Sequence, residues 1–220
     1  MTSTTSTLCA LALGLVAFAP RAAHAQACGD ILTADTVLTA PLTCAGDALT
    51  VAADNILLDC NGQSLTGDGT GIGVLLDGVT GVRVRNCFVD RFAVGILLTG
   101  SPANHLTFNG VTGSTSIGNG GIQLSAGSDG NVVEANRSWA NTGRGFAITD
   151  STGNLVQDNG SAFNGFRGFD VIDASGNALL RNFAFDNSSG GVVVSGTSAG
   201  NILHANTVTD SGSEGFALFS

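Results

Sequence analysis

The chain has 220 residues, of which 43% are hydrophobic and only 11% charged, with 32 glycines, no tyrosine and one tryptophan. That apolar content excludes a disordered glycine-rich tract, so the glycines must serve recurring turns within one folded domain. The formal net charge is −9, every basic residue is arginine, and no basic cluster exists to displace counterions from a phosphate backbone, which excludes nucleic acid as a partner.

Taken in order, the chain opens with an export signal. Leu8 to Ala19 is apolar, Pro20 breaks the run, and Ala23-His24-Ala25 forms a small-x-small cleavage site before Gln26. Residues 1–25 therefore read as a signal peptide and 26–220 as the mature domain, secreted or periplasmic. The apolar run is too short to span a bilayer and no later stretch approaches the length required, so membrane insertion is not expected. Cys9 has no small residues before it, which argues against a lipid anchor.

Export leaves Cys28, Cys44, Cys60 and Cys87. An even count in an oxidising compartment reads as two disulfides, with three connectivities open. Cys60 and Cys87 lie about one repeat apart in similar settings, so stacked coils would bring them together, leaving Cys28 with Cys44 to close the first turn. No zinc-type cysteine spacing occurs, and His24, His105 and His204 are scattered, so no metal site is expected.

From Cys28 to Val51 the pattern is irregular but strand-like. Asn55–Leu58 follows, with a turn at Asn61-Gly62, and Val82-Arg83-Val84-Arg85 alternates as a half-buried strand does. Past Cys87 the repeats become regular, and from Asn131 to Gly215 the chain repeats itself every 23 to 24 residues. Asn131, Asn136 and Asn141 lead to Gly145-Phe146; Asn154, Asn159 and Asn164 to Gly168-Phe169. Asn177, Asn182 and Asn187 lead to Gly191-Val192, and Asn201, Asn206 and Ser211 to Gly215-Phe216. An aliphatic residue stands two places after the first asparagine of each unit, at Leu106, Val133, Val156, Leu179 and Leu203. There is no period of 3.6, which excludes a helical repeat. The five-residue beat resets at each Gly-Phe, which excludes a pentapeptide helix. The expectation is an all-β parallel solenoid of about eight coils, 22 to 26 residues each, with three strands per coil and a length of about 40 Å. The asparagines suit its corners, where they tolerate a left-handed backbone and hydrogen-bond to the next coil.

The run Leu57-Leu58-Asp59-Cys60-Asn61-Gly62-Gln63-Ser64-Leu65-Thr66-Gly67, with Gly71-Ile72-Gly73-Val74, Val82–Cys87 and the asparagine repeats, resembles right-handed parallel β-helix proteins. These are the pectate-lyase-like proteins and the periplasmic β-helix protein of nitrous-oxide reductase maturation. The resemblance covers about residues 28–220. It implies the fold and leaves activity open among lyases, hydrolases, epimerases and carbohydrate binders.

One strip could carry chemistry. Arg144 and Arg167 each precede the glycine that opens a strand and so share a column, Asp150 and Asp173 share another, and Asp170 is expected to point outward. Stacked arginines beside stacked aspartates could grip an acidic sugar, directly or through calcium under the lyase reading alone. Against this, Asp150 and Asp173 begin turn sequences in which Asp caps backbone, and stacked like charges repel unless a carboxylate intervenes. Asp158 and Arg181 are expected to pair between coils. Neither His105 nor His204 has a partner for general-base work. The coils are nearly bare of loops, the longest insertions falling near Thr112–Gly120 and Gly62–Gly71. The expectation is a secreted binding or scaffold protein contacting polysaccharide, without an identifiable catalytic site. The alternatives are a lyase or hydrolase acting on acidic sugars, and an assembly or adhesion component that self-associates through an open C-terminal coil, the chain there reading as truncated.

Overall fold

A computed structural model describes residues 25–219. The apolar leader, Cys9, His24 and most of the cleavage site lie outside the described residues. No helix occurs among the described residues, so none there is long and apolar enough to cross a membrane.

The chain winds into a parallel β-solenoid with three sheets. The coil from residue 144 shows the pattern: Arg144–Thr149 lies in sheet A, Leu155–Gln157 in sheet B and Gly160–Ala162 in sheet C. Sheet A has nine strands and sheets B and C eight each, and every neighbouring pair within a sheet is parallel. Sheet A strands are mostly six residues long and sheet B and C strands three. Three-residue strands with the pattern intermediate-buried-intermediate place one side chain inward per edge, which explains the single aliphatic residue after each first asparagine. Leu106, Val133, Val156 and Leu179 fill that inner column and are buried.

The core is a set of such columns. Val74, Ile96, Ile122, Phe146, Phe169 and Val192 succeed one another in register, with the Phe146 and Phe169 rings stacked 4.7 Å apart. The glycine before each such residue is required by packing: a Cβ on Gly145 would sit 2.0 Å from Ser161 Oγ.

The asparagines form three ladders. In the B-to-C corner, the Asn136 backbone N–H and side-chain amide both donate to Asn159 Oδ1 (2.8 and 3.1 Å), and Asn159 repeats this with Asn182 (both 3.0 Å). Asn159 Nδ2 also donates to the carbonyl of Val133 one coil below (2.8 Å). Each buried amide is thus satisfied by its neighbours. One expectation is corrected here. From Asn104 onward the ladder asparagines do not adopt the left-handed backbone; the residue before each one does, as at Phe108, Ala135, Asp158 and Arg181, with φ of 55°, 55°, 55° and 52°. The asparagine is needed inside the rod, and its predecessor turns the corner with its side chain free to vary.

Both disulfides form as expected. Cys60–Cys87 joins successive coils across a Cα separation of 4.7 Å, and Cys28–Cys44 closes the first turn at 5.5 Å.

Candidate functional site

Arg144 and Arg167 do share a column of sheet A, with Gly120 below and Gly190 above. Asp170 faces away from the core, as expected, yet it is not open to solvent: its side chain is fully buried. Arg144 Nε donates to Asp170 Oδ2, and Arg167 Nη1 donates to both carboxylate oxygens at 2.9 and 3.1 Å. Both guanidiniums also lie over the Phe166 ring, 5.2 and 4.8 Å from its centroid. Arg144 Nη1 reaches the carbonyl of Gly118 in the 113–119 insertion. The carboxylate needed to keep two stacked arginines together is therefore Asp170 itself, and the cluster is closed. Arg144 Nε and Nη1 and Arg167 Nη1 are spent internally, Arg167 Nε is buried without a partner, and neither Nη2 is hydrogen-bonded among the described residues.

Asp150 and Asp173 stand at the far end of the same strands, in left-handed corners with φ of 47° and 49°. They do not join the arginines. Asp173 caps the turn of the next coil rather than its own, accepting from Thr197 N–H (2.8 Å) and hydroxyl (3.1 Å), as Asp129 does for Thr152. The five residues do not fit calcium, because Asp170 is occupied by two cations and Asp173 by turn donors. Among the described residues no group of three or more His, Cys, Asp or Glu is placed to hold a metal. His105 and His204 lie on sheet B strands separated by three others, with no shared function.

Asp158 and Arg181 form the expected inter-coil pair, with Nε to Oδ1 at 2.9 Å and Nη2 to Oδ2 at 2.7 Å. The Arg181 hydrogen bonds hold the Asp158 carboxyl below its ordinary range. This pair borders a feature that the repeat pattern hides. An open groove of about 780 Å³ crosses sheet C and its B-side corner. Its floor is the strand Gly160–Ala162. Arg137 and Trp139 stand one coil below that floor, and Phe183 and Phe185 one coil above. Phe108 and Phe163 rise at opposite corners, both from left-handed backbone, with φ of 55° and 56°. They are 65% and 54% exposed, and Phe183 is 45% exposed. Phe163 and Phe183 both lie near the Phe185 ring, at 5.3 and 6.2 Å, while Trp139 leans on Phe88 at 5.9 Å. Bulky side chains in left-handed backbone cost about 1–2 kcal/mol each, and here they hold aromatic faces out to water. The groove takes residues from four successive coils, so it runs along the rod axis for about 15 Å at ~4.8 Å per coil. Folding does not require exposed aromatic surface of this kind.

Residues 48–208 match the family described as right-handed β-helix region. The chain belongs to the right-handed β-helix family. No curated protein matches the sequence. Among solved structures it is similar to the periplasmic alginate epimerase AlgG, at 16% identity and a TM-score of 0.59, covering 85% of this chain and 49% of that one. It is likewise similar to the catalytic domain of a GH87 α-1,3-glucanase in complex with nigerose, at 14% identity and a TM-score of 0.53, covering 88% of this chain and 51% of that one. The chain thus spans about half the length of these two polysaccharide-active β-helix proteins. At such identities the likeness establishes the fold.

Proposed function

We propose that this is an exported β-helix protein that binds polysaccharide without cleaving it, and that the chain lies in the sheet C groove. The observation that carries this reading is the aromatic groove itself. A pyranose ring has apolar C–H faces and polar edges, which suits rings that present their faces along a channel with a few charged groups beside them. The groove takes residues from four successive coils, so it runs along the rod axis as an extended polymer would. The two structural disulfides fit an oxidising compartment outside the cytoplasm, and the leader at residues 1–25 supplies the route.

The alternative of a lyase or hydrolase centred on Arg144, Arg167 and Asp170 loses support, because both oxygens of the buried Asp170 carboxylate are engaged by the arginines rather than held open to a substrate. Electrophoresis through gels containing neutral or acidic polysaccharides tests both readings. The expected result is retardation that the double change Trp139→Ala, Phe163→Ala abolishes, with no shortening of the polymer. Retardation that survives that double change removes the groove as the site, and progressive shortening of the polymer establishes an enzyme instead.

A further inference from the structure

We infer that the glycan held in the sheet C groove carries carboxylate groups and that Arg137 reads them; this rests on the groove being a glycan site. Three charged side chains line the groove, Arg137, Asp158 and Arg181. Asp158 and Arg181 neutralise each other through two hydrogen bonds, and Gln157 Oε1 accepts a further bond from Arg181. Glu134, on the adjoining face, accepts from Gln157 Nε2 at 2.9 Å. Arg137 has no ion pair or side-chain hydrogen bond among the described residues, although Arg85, Arg91, Arg144, Arg167 and Arg181 each face a carboxylate.

That contrast is informative in a chain with 17 acidic residues and only eight basic ones. Partners were abundant, and the arginine beside Trp139 was left without one. Arg83 is also unpaired, but it stands on sheet B with His105 as its register partner and no aromatic groove around it. The Arg137 stem runs beside the groove floor, its Cγ 3.8 Å from the point where a Cβ on Gly160 would lie. The stem therefore starts at the floor, and the planar fork is free for a bidentate carboxylate. The net charge of −9 opposes a polyanion at long range, but that repulsion is screened beyond about 8 Å at physiological salt. A direct ion pair in the groove acts inside that distance, so the local contact decides.

Trp139 is the only tryptophan, and its emission reports on the groove. Oligomers of polyglucuronate, polygalacturonate and polymannuronate would be titrated beside their carboxyl-reduced forms, which differ only at C6. The expected result is that at least one uronate oligomer binds about tenfold tighter than its reduced form, as one charge-assisted contact provides. Arg137→Gln should erase that preference, bringing the two forms to equal affinity, and Arg137→Lys should restore part of it. Equal affinities for both forms, unaffected by Arg137→Gln, would overturn the acidic ligand and leave the groove as a neutral-glycan site. No response to any of these oligomers, acidic or reduced, would overturn the groove reading together with it.

Discussion

Arg137 and Phe183 stand in one column of sheet C with only Gly160 between them. The same gap does not open one coil pair lower. There Gly110 lies between Phe88 and Arg137, and Trp139 and Phe88 close over it, their atoms 3.3 and 3.4 Å from where its Cβ would be. One glycine in the column is covered by aromatic rings and the next is left as a floor. That difference makes a groove out of a surface otherwise flat.

The rim should trade stability for binding. Phe108 is largely exposed and left-handed, so Phe108→Gly relieves backbone strain and should leave the fold unchanged or up to about 1 kcal/mol more stable. The same change should weaken polysaccharide binding about fivefold, the worth of one aromatic contact of about 1 kcal/mol. Urea midpoints and gel retardation on the same variant check both halves.

The Arg144–Asp170–Arg167 cluster should behave as structure. Removing the carboxylate with Asp170→Ala leaves two partly buried guanidiniums without their partner, a loss of about 3–5 kcal/mol. Polysaccharide binding by the folded fraction should not change. Thermal melts together with retardation at low temperature separate the two effects.

The ladder should tolerate no charge. Asn159→Asp deletes the donor to Val133 and Asn182 and buries a carboxylate against carbonyl oxygens, which should cost at least about 2 kcal/mol. The midpoint of thermal unfolding should fall by at least about 4 °C, and a smaller shift would mean that the corner admits water.

The corner at Asp59 should respond to acid. Burial tends to raise the Asp59 carboxyl, but hydrogen bonds from Asn86, Asn61 and Arg85 outweigh it and hold the carboxyl below its ordinary 3.8. A depressed folded value adds stability above the unfolded one, and that stability is lost as pH falls through the folded value. Asp59→Asn should therefore be less stable than the parent at neutral pH, with the difference shrinking below pH 3.8. Urea midpoints measured across that range provide the check.

The fold was legible because its physics repeats. One inward side chain per short strand and one asparagine per corner recur at the coil period, so Asn154, Val156 and Asn159 announce the same corner as Asn177, Leu179 and Asn182. Coil stacking likewise brought Cys60 to Cys87. The arginine column was legible as a column, but its closure depended on Phe166 and on the carbonyl of Gly118, which no spacing records. The groove was not legible because its aromatics occupy different places in the repeat. Phe108 and Phe163 precede a ladder asparagine, Phe183 follows one directly and Trp139 follows one at three residues. Only the three-sheet register brings them to one face. The available signal was that each lies within three residues of a ladder asparagine, next to a corner that turns its side chain outward.

The central claim is that polysaccharide lies on the Gly160 floor. Space there is open, with only the Arg137 Cγ within 4 Å and no left-handed backbone, so Gly160→Phe should fold normally and fill the groove. The direct measurement is Trp139 emission during titration of the parent and of Gly160→Phe with a polysaccharide that retards the parent in gels. A saturable change in the parent, absent from an equally stable Gly160→Phe, is the predicted result. The same saturable change and affinity in Gly160→Phe would contradict it.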